Sequence, residues 1–477
     1  MGRRGREERD QVPLRLAAAS GLLRAEPRDA PVMNAPSRTV HLVTFGCQMN
    51  KVDSELTLGE LRKGGFTPVD DPDQASLVLF NTCSVRGHAE DRVFSRLGAF
   101  KGRKKKQPGF LLGVLGCMAE KERHAIFRAA PHVDLVCGPR DFPRILELVR
   151  EAETGRRPEP AVGGRTRPDL YRDVRTRDSR FQAFVTATRG CDKFCTFCIV
   201  PFTRGREVSR PVAEIVDEVR RLSEDGVREV TLLGQTIDTY GSDLPGRPGL
   251  ADLLDAVHEV PGLARIRFLT AHPGRMTERL FRTMARLPKV CPYLHMPAQS
   301  GSDRVLEAMK RGYTVGAYRE VVARARAILP EVAIASDFIV GFPGETDADF
   351  AATVALVEDL RFQQAFVFKY SPRPGTRGFR LPDDVPAHVK AARNQRLLEA
   401  QAAVALEENR RVFGRRFDVL VEGPSHLDRR RVTSRTPTNR IVVFEGDPSL
   451  EGEVVPVEIV DATALVLVGR RVRAAAG

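Results

Sequence analysis

A chain of 477 residues with 42% hydrophobic and 29% charged side chains has room for several domains, each with its own core. No apolar run reaches the length needed to span a bilayer, and the stretch 14–23 is short, carries Arg15 and lacks a convincing cleavage site, so export is not expected. The net charge of +13 suits a polyanion such as RNA; eight cysteines are too sparse for a disulfide scaffold, and a cluster of three of them without a signal peptide points to metal in the cytosol.

Residues 1–37 mix Arg, Glu, Ala and Pro with little periodicity and read as a disordered tail, or as an upstream start with Met33 the functional initiator. From residue 38 to 150 apolar runs alternate with helical patterns: 41–45 then 53–63, 77–80 then 90–100, 110–115 then 120–129, 133–136 then 142–149. That alternation predicts an α/β domain with a parallel sheet. Cys47, Cys83 and Cys117 each follow one of the first three strands, and in an open parallel sheet those ends share the ligand-binding edge. A three-thiolate cluster site is the better reading there than three small buried residues. Cys137 also follows a strand, but its tight-turn neighbours make it a packing residue. The basic run 101–106 reads as a solvated loop or a helix end.

Residues 151–178 lack periodicity and read as a linker, with Arg165, Arg167, Arg172, Arg175 and Arg177 available to phosphate. The segment 179–408 shows six strand–helix units, with strands near 181–187, 227–233, 264–270, 290–296, 332–340 and 365–370. Six units are too few for a full eight-fold barrel and predict a partial (β/α)6 barrel whose chemistry sits at the C-terminal strand ends. The first strand leads to Cys191, Cys195 and Cys198, spaced Cys-x-x-x-Cys-x-x-Cys. Three close thiolates suit a four-iron cluster with one iron left open for a small molecule; a structural zinc site would need a fourth ligand. The other strand ends carry Gly234, Gln235, Ser336, Asp337 and Gly341, residue types that allow close approach and hydrogen bonding to a ribose or amino acid. His272 and His295 read as turn or core residues. Residues 409–473 contain five short β-like runs and predict a small barrel of the size used for oligonucleotides, with Arg429, Arg430, Arg431, Arg435 and Arg440 facing RNA. Its removal from Arg411 onward is expected to weaken RNA binding and leave the chemistry at the Cys191 loop largely intact.

These residues together resemble the methylthiotransferases of the radical S-adenosylmethionine (SAM) superfamily, over nearly the whole chain from about residue 38. The resemblance lies in Thr44 to Asn50, Asn81 to Arg86, Gly116 to Glu120, Gly190 to Cys198 and Thr203 to Glu207. The C-terminal segment is similar to the family's RNA-binding TRAM barrel. Asn81 to Arg86 and Arg204 to Arg210 most resemble the branch that makes 2-methylthio-isopentenyladenosine beside the anticodon. The extra tail, Cys137 and Ile237-Asp238 depart from the family pattern.

The resemblance implies two 4Fe-4S clusters and SAM as cofactors. The cluster on Cys191, Cys195 and Cys198 would bind SAM and generate a 5'-deoxyadenosyl radical. The one on Cys47, Cys83 and Cys117 would carry the sulfur that is methylated and attached. Carbon 2 of adenine has an unactivated C–H bond, so the hard step falls to a cofactor and the protein supplies position and shielding. The implied partners are a tRNA anticodon stem-loop and a low-potential electron donor of flavodoxin or ferredoxin type, for a monomer in the cytoplasm. Two rivals stand beside this reading: a relative acting on threonylcarbamoyladenosine or a ribosomal-protein aspartate, and a zinc-dependent RNA-binding protein.

Overall fold

The computed structural model describes residues 38–84, 87–163, 177 and 179–472. The tail, Val85, Arg86 and the linker residues Arg165, Arg167, Arg172 and Arg175 lie outside the described residues.

The first domain is a parallel sheet in the order β2-β1-β3-β4-β5, formed by β1 (Thr39–Thr44), β2 (Thr67–Pro68), β3 (Leu77–Thr82), β4 (Leu111–Gly116) and β5 (Leu135–Cys137). β3 and β4 are buried along their whole length, as expected of central parallel strands covered on both faces. Leu77, Leu79, Leu111 and Leu115 pack on one side with Ile145 and Leu148, whereas Val78, Phe80, Leu112 and Val114 pack on the other with Val93 and Leu97. β2 escaped the sequence reading because two residues give no period. The helix expected over 120–129 is two helices, Cys117–Glu122 and His124–Ala129, broken where Arg123 takes φ 48°. The basic run Lys101–Lys106 is itself a helical turn. Cys137 lies fully inside the core.

The second domain has all six expected strands: β6 (Gln182–Thr186), β9 (Glu229–Leu233), β10 (Arg265–Leu269), β11 (Tyr293–His295), β12 (Ala333–Val340) and β13 (Gln364–Lys369), with a two-residue ribbon of β7 (Thr188–Arg189) and β8 (Val208–Ser209). They form parallel sheets β10-β9-β6 and β11-β12-β13, joined by a bridge between Ile266 and Val290. β6 and β13 are the open edges of this partial barrel. Alternation is clean: Ala183, Val185, Val230, Leu232, Ile266 and Phe268 face the helices. Phe184, Leu233 and Leu269 face the other way and take Met49, Val52 and Leu56 of the Gln48–Lys63 helix. The first domain therefore packs one helix directly against the inner face of the second.

The third domain is a closed barrel in the order β14-β15-β16-β18-β17, from β14 (Arg416–Pro424), β15 (Arg431–Arg435), β16 (Ile441–Glu445), β17 (Val454–Ala462) and β18 (Val466–Arg471). Its core is Val419, Val421, Val432, Val442, Phe444, Val457, Ile459 and Leu467. The barrel docks directly on the second domain. The turn between β15 and β16 closes the N-terminal mouth of the partial barrel. Arg265 donates to the carbonyls of Arg435 (2.7 Å) and Asp418 (2.5 Å), and Arg267 to those of Thr436 and Pro437 (both 2.9 Å). Gln363 donates to Thr438 O at 2.7 Å.

Three arginines expected on RNA are also reassigned. Arg435 pairs with Glu422 at 2.7 Å, and Arg440 bonds Asn409 (3.1 Å) and Thr438 (3.0 Å). Arg177 is 4% exposed and pairs with Asp225 at 2.6 Å. Arg429 and Arg430 remain exposed, Arg430 beside Asp428.

Arg267 also holds Glu229 at 2.9 Å, with both side chains 5% exposed. Arg267→Ala would remove the shorter ion pair of the buried Glu229, which keeps Gln182 at 2.9 Å and Arg265 at 3.8 Å. It would also unpair the Pro437 carbonyl, while Thr436 O keeps Asn439 N at 3.0 Å. The substitution is expected to cost about 3 kcal/mol of stability. Thermal or denaturant unfolding checks this, and a loss within about 0.5 kcal/mol, typical of surface changes, would show that the turn is not an anchor.

Candidate iron–sulfur and SAM site

The first thiol triad is assembled by the turns after β1, β3 and β4. Cys47 caps the Gln48–Lys63 helix, Cys83 follows β3, and Cys117 opens the Cys117–Glu122 helix. Gly46 has φ 119°, and a Cβ there would stand 2.5 Å from Cys83 Cβ, so only glycine lets the Cys47 and Cys83 turns meet. Asn50 and Asn81 lace the turns together: Asn50 donates to Thr82 O (2.9 Å), and Asn81 donates to Asn50 O (2.9 Å) and Ser54 Oγ (2.9 Å).

Cys47 is exposed, whereas Cys83 and Cys117 are buried. A hydrogen bond with Cys83 lowers the Cys47 pKa to about 6, helped by the Arg204 charge and by the N–H groups of Asn50 and Met49 at the helix start. Burial pushes Cys117 up instead, opposed by Arg204 and by a hydrogen bond with Thr203.

The second triad lies in the loop after β7. Gly190 takes φ 76°, and a Cβ there would collide with Arg206 O at 2.0 Å; Cys191 N then donates to Gly205 O at 3.1 Å. Cys191 Sγ is 3.1 Å from Thr236 Oγ1, and Arg311 Nη1 donates to Cys195 Sγ at 3.3 Å. Burial raises Cys191, and raises Cys198 to about 12. Both shifts favour neutral thiols before a cluster binds, so cluster binding releases protons.

Among the described residues no three His, Cys, Asp or Glu side chains are drawn together as a lone metal ion requires. A multi-iron cluster asks instead for thiols set around a body of several atoms, with cations nearby to offset thiolate charge. Both triads have that chemistry, through Arg204 at the first and Arg311 at the second.

The two triads are held against each other. The short helix Val200–Arg204, which follows Cys198, packs on the Cys117–Glu122 helix. Arg204 reaches Asp53 at 2.8 Å, and Asp53 takes Arg189 at 2.8 Å on its other oxygen. Asp53, Arg189, Thr236 and Arg311 have no role legible in the sequence, and Arg204 stands out there only as part of the Thr203–Glu207 motif. The reason is that each acts through a partner far along the chain.

Of the expected SAM contacts, Gly234 and Gln235 follow β9. Gly234 lies against Thr188, where a Cβ would come within 2.4 Å of Oγ1, and Gln235 Oε1 is buried with no hydrogen-bond partner among the described residues. Gln299 Oε1 and Asp238 Oδ2 are orphaned in the same way. Burial raises Asp238 to about 6. Such unpaired atoms at the strand ends fit a polar ligand. Asp337 faces the barrel interior, with His295 Nε2 3.1 Å from its Oδ1. Gly341 donates to Glu345 Oε2 at 2.7 Å and packs on Lys390. Ser336 is set apart: it is fully buried on the helix-facing side, where its Oγ accepts from Ala298 N at 2.9 Å.

A thiol triad at the top of an open parallel barrel defines a radical SAM enzyme, and the comparisons agree. Residues 185–357 match the radical SAM superfamily, residues 39–138 match uncharacterized protein family UPF0004, and residues 410–472 match the TRAM domain. The chain is 45% identical over 461 residues to the tRNA-2-methylthio-N(6)-dimethylallyladenosine synthase of Rhodopirellula baltica, covering 92% of this chain and 96% of that protein. It is also 45% identical to the synthase of Bordetella avium, covering 91% of this chain and 93% of that one. The radical SAM methyltransferase TsrM from Kitasatospora setae shares the fold, with a TM-score of 0.51, 15% identity, and coverage of 72% of this chain and 77% of TsrM. The chain belongs to the tRNA-2-methylthio-N(6)-dimethylallyladenosine synthase family of radical SAM methylthiotransferases.

In the cluster-free chain, alkylation of Cys47 by iodoacetamide is expected to rise with a midpoint near pH 6, with Cys117 protected at pH 7. Site-resolved mass spectrometry reads this. A Cys47 midpoint at the ordinary thiol value of 9.0 would show that Cys47 is no thiolate at neutral pH in the cluster-free chain.

Proposed function

We propose that this chain adds a methylthio group to carbon 2 of isopentenyladenosine at tRNA position 37, through one SAM-dependent S-methylation and one radical sulfur insertion. The observation that carries this reading is the joining of two thiol triads through Thr203 and Arg204. Chemistry that both makes a radical and delivers sulfur needs two metal centres held at a fixed separation.

Cys191, Cys195 and Cys198 would hold one 4Fe-4S cluster, and Cys47, Cys83 and Cys117 the other. Bound SAM and the clusters supply the radical and the sulfur. The protein's own part is to hold and shield. Gly234 leaves room beside the Cys191 loop, and Gln235, Asp337 and the turn at Gly341 would bound the SAM site. Arg311 would steady the Cys195 thiolate, because a buried guanidinium donates to it in a fixed direction.

The target base must leave its stack to be reached. Phe366 and Phe368 of β13 are 40% and 36% exposed, alternate with the helix-facing Ala365 and Val367, and so line the barrel interior beside His295. That apolar wall suits a prenyl group, and burying one contributes on the order of 2 kcal/mol at about 25 cal/mol per Å². The TRAM barrel would take the anticodon stem-loop, with Arg429 and Arg430 on phosphate.

A low-potential donor of flavodoxin or ferredoxin type would deliver electrons to a monomer working in the cytoplasm. Among the described residues no helix is long and apolar enough to cross a membrane. Exposed Phe194 and Phe202, with ring centroids 6.0 Å apart beside the Cys191 loop, would seat that donor.

Turnover of unmodified, isopentenylated and threonylcarbamoylated stem-loops, compared anaerobically, tests the substrate. Isopentenylated RNA should be strongly preferred, and Phe366→Ser should shrink that preference over unmodified RNA. Preference for the threonylcarbamoylated loop would overturn the assignment. Replacing Cys191, Cys195 and Cys198 together by Ala should remove about half of the iron and all SAM cleavage while the other cluster persists. Stoichiometric zinc without iron after anaerobic reconstitution would sink the enzyme reading.

A further inference from the structure

We propose that Arg204 sets the reduction potential of the cluster held by Cys47, Cys83 and Cys117, as a buried positive charge fixed beside its ligands. The inference rests on the reading above that this triad carries a four-iron cluster.

Arg204 ends the Val200–Arg204 helix of the second domain, yet its side chain lies in the first, 5% exposed. Its Nη2 donates to Asn50 Oδ1 at 3.2 Å, and the same oxygen lies 3.4 Å from Cys47 Sγ. The guanidinium is therefore one amide oxygen away from a ligand sulfur. The preceding residue, Thr203, hydrogen-bonds Cys117, so the helix end stands over two of the three ligands.

The charge balance matters as much as the position. Asp53 is fully buried and shared, with Oδ1 on Arg189 and Oδ2 on Arg204, both at 2.8 Å. Two guanidinium groups on one carboxylate leave a net positive charge in the packed seam. An anchor between domains would be complete with one arginine; the second adds cation where the thiols are. Burial weakens the screening that water would provide, so the field at the sulfurs is strong.

Taking up one electron makes a cluster more negative by one charge, and nearby positive charge favours that state. Net charge and hydrogen bonding around the sulfurs are known levers on cluster potential. In the test the electron comes from dithionite, which is oxidised to sulfite, and no bond in the protein forms or breaks. Arg204 is on this view a positioning and tuning residue and does not touch the reacting base.

The experiment is a dithionite titration of the anaerobically purified full-length holoenzyme, followed by electron paramagnetic resonance. SAM, bound at the Cys191 cluster, should perturb the signal of that cluster alone and so separate the two centres. In Arg204→Gln the SAM-insensitive centre should shift so that, at the wild-type midpoint, its reduced-to-oxidised ratio falls about tenfold, equivalent to about 59 mV for one electron. Asp53→Asn should move it in the opposite direction by removing an anion, and Arg204→Lys should stay near wild type. Opposite signs from two sides of one ion pair are not produced by loosened packing. If Arg204→Gln does not retain its iron, the other two variants carry the test: Asp53→Asn must rise and Arg204→Lys must match wild type.

An unmoved midpoint in iron-replete Arg204→Gln, shifts of one sign in Arg204→Gln and Asp53→Asn, or equal shifts of both centres would overturn the proposal. Fewer than two clusters in the wild-type protein would instead sink the reading on which it rests.

Discussion

Asp53 is the residue on which the arrangement of the two catalytic domains turns. It sits without solvent contact on the first turns of the Gln48–Lys63 helix and receives two arginines of the neighbouring domain. A buried carboxylate is tolerated only when its charge is matched and its lone pairs are used. That requirement admits one docking of the domains, because Arg189 precedes the Cys191 loop and Arg204 closes the helix after Cys198. Apolar packing of Met49, Val52 and Leu56 on Phe184, Leu233 and Leu269 provides area but little direction. The ion pairs provide the direction.

The fixed seam explains why the thiol triads belong to different folding units. The first triad is built from turns at the C-terminal ends of parallel strands, the edge where such sheets place ligands, and the second from the single loop beyond the first barrel strand. His295, Asp337 and Phe366 face the interior of the partial barrel, on the second domain's side of the seam.

What was legible in the sequence follows the range of the interaction concerned. All six barrel strands and the five of the terminal barrel were visible, because periodicity is local. The cysteines were visible because their spacing and their place after strands are local as well. Arg177, Arg435 and Arg440 were misread as RNA contacts: basic composition is visible in a sequence, but Asp225, Glu422 and Asn409, which engage them, are not adjacent in it. Asp53 and Arg204 are 151 residues apart, and neither breaks the pattern of its own helix. Ser336 was grouped with Asp337 as a strand-end polar residue, although consecutive strand residues must face opposite sides of the sheet.

The turn at the base of the barrel has a consequence for biosynthesis. Arg267 and the carbonyl of Thr436 are 169 residues apart, so the barrel mouth cannot close until almost the whole chain has left the ribosome. The first domain, with its local strand order, is free to fold long before then. Until the last barrel arrives, Glu229, Arg265 and Arg267 stay hydrated and the second domain remains unfinished at one end. The order of synthesis thus separates two events in time: the sheet bearing Cys47, Cys83 and Cys117 matures early, and the radical-forming domain is sealed only when the segment matching the RNA-binding module is complete.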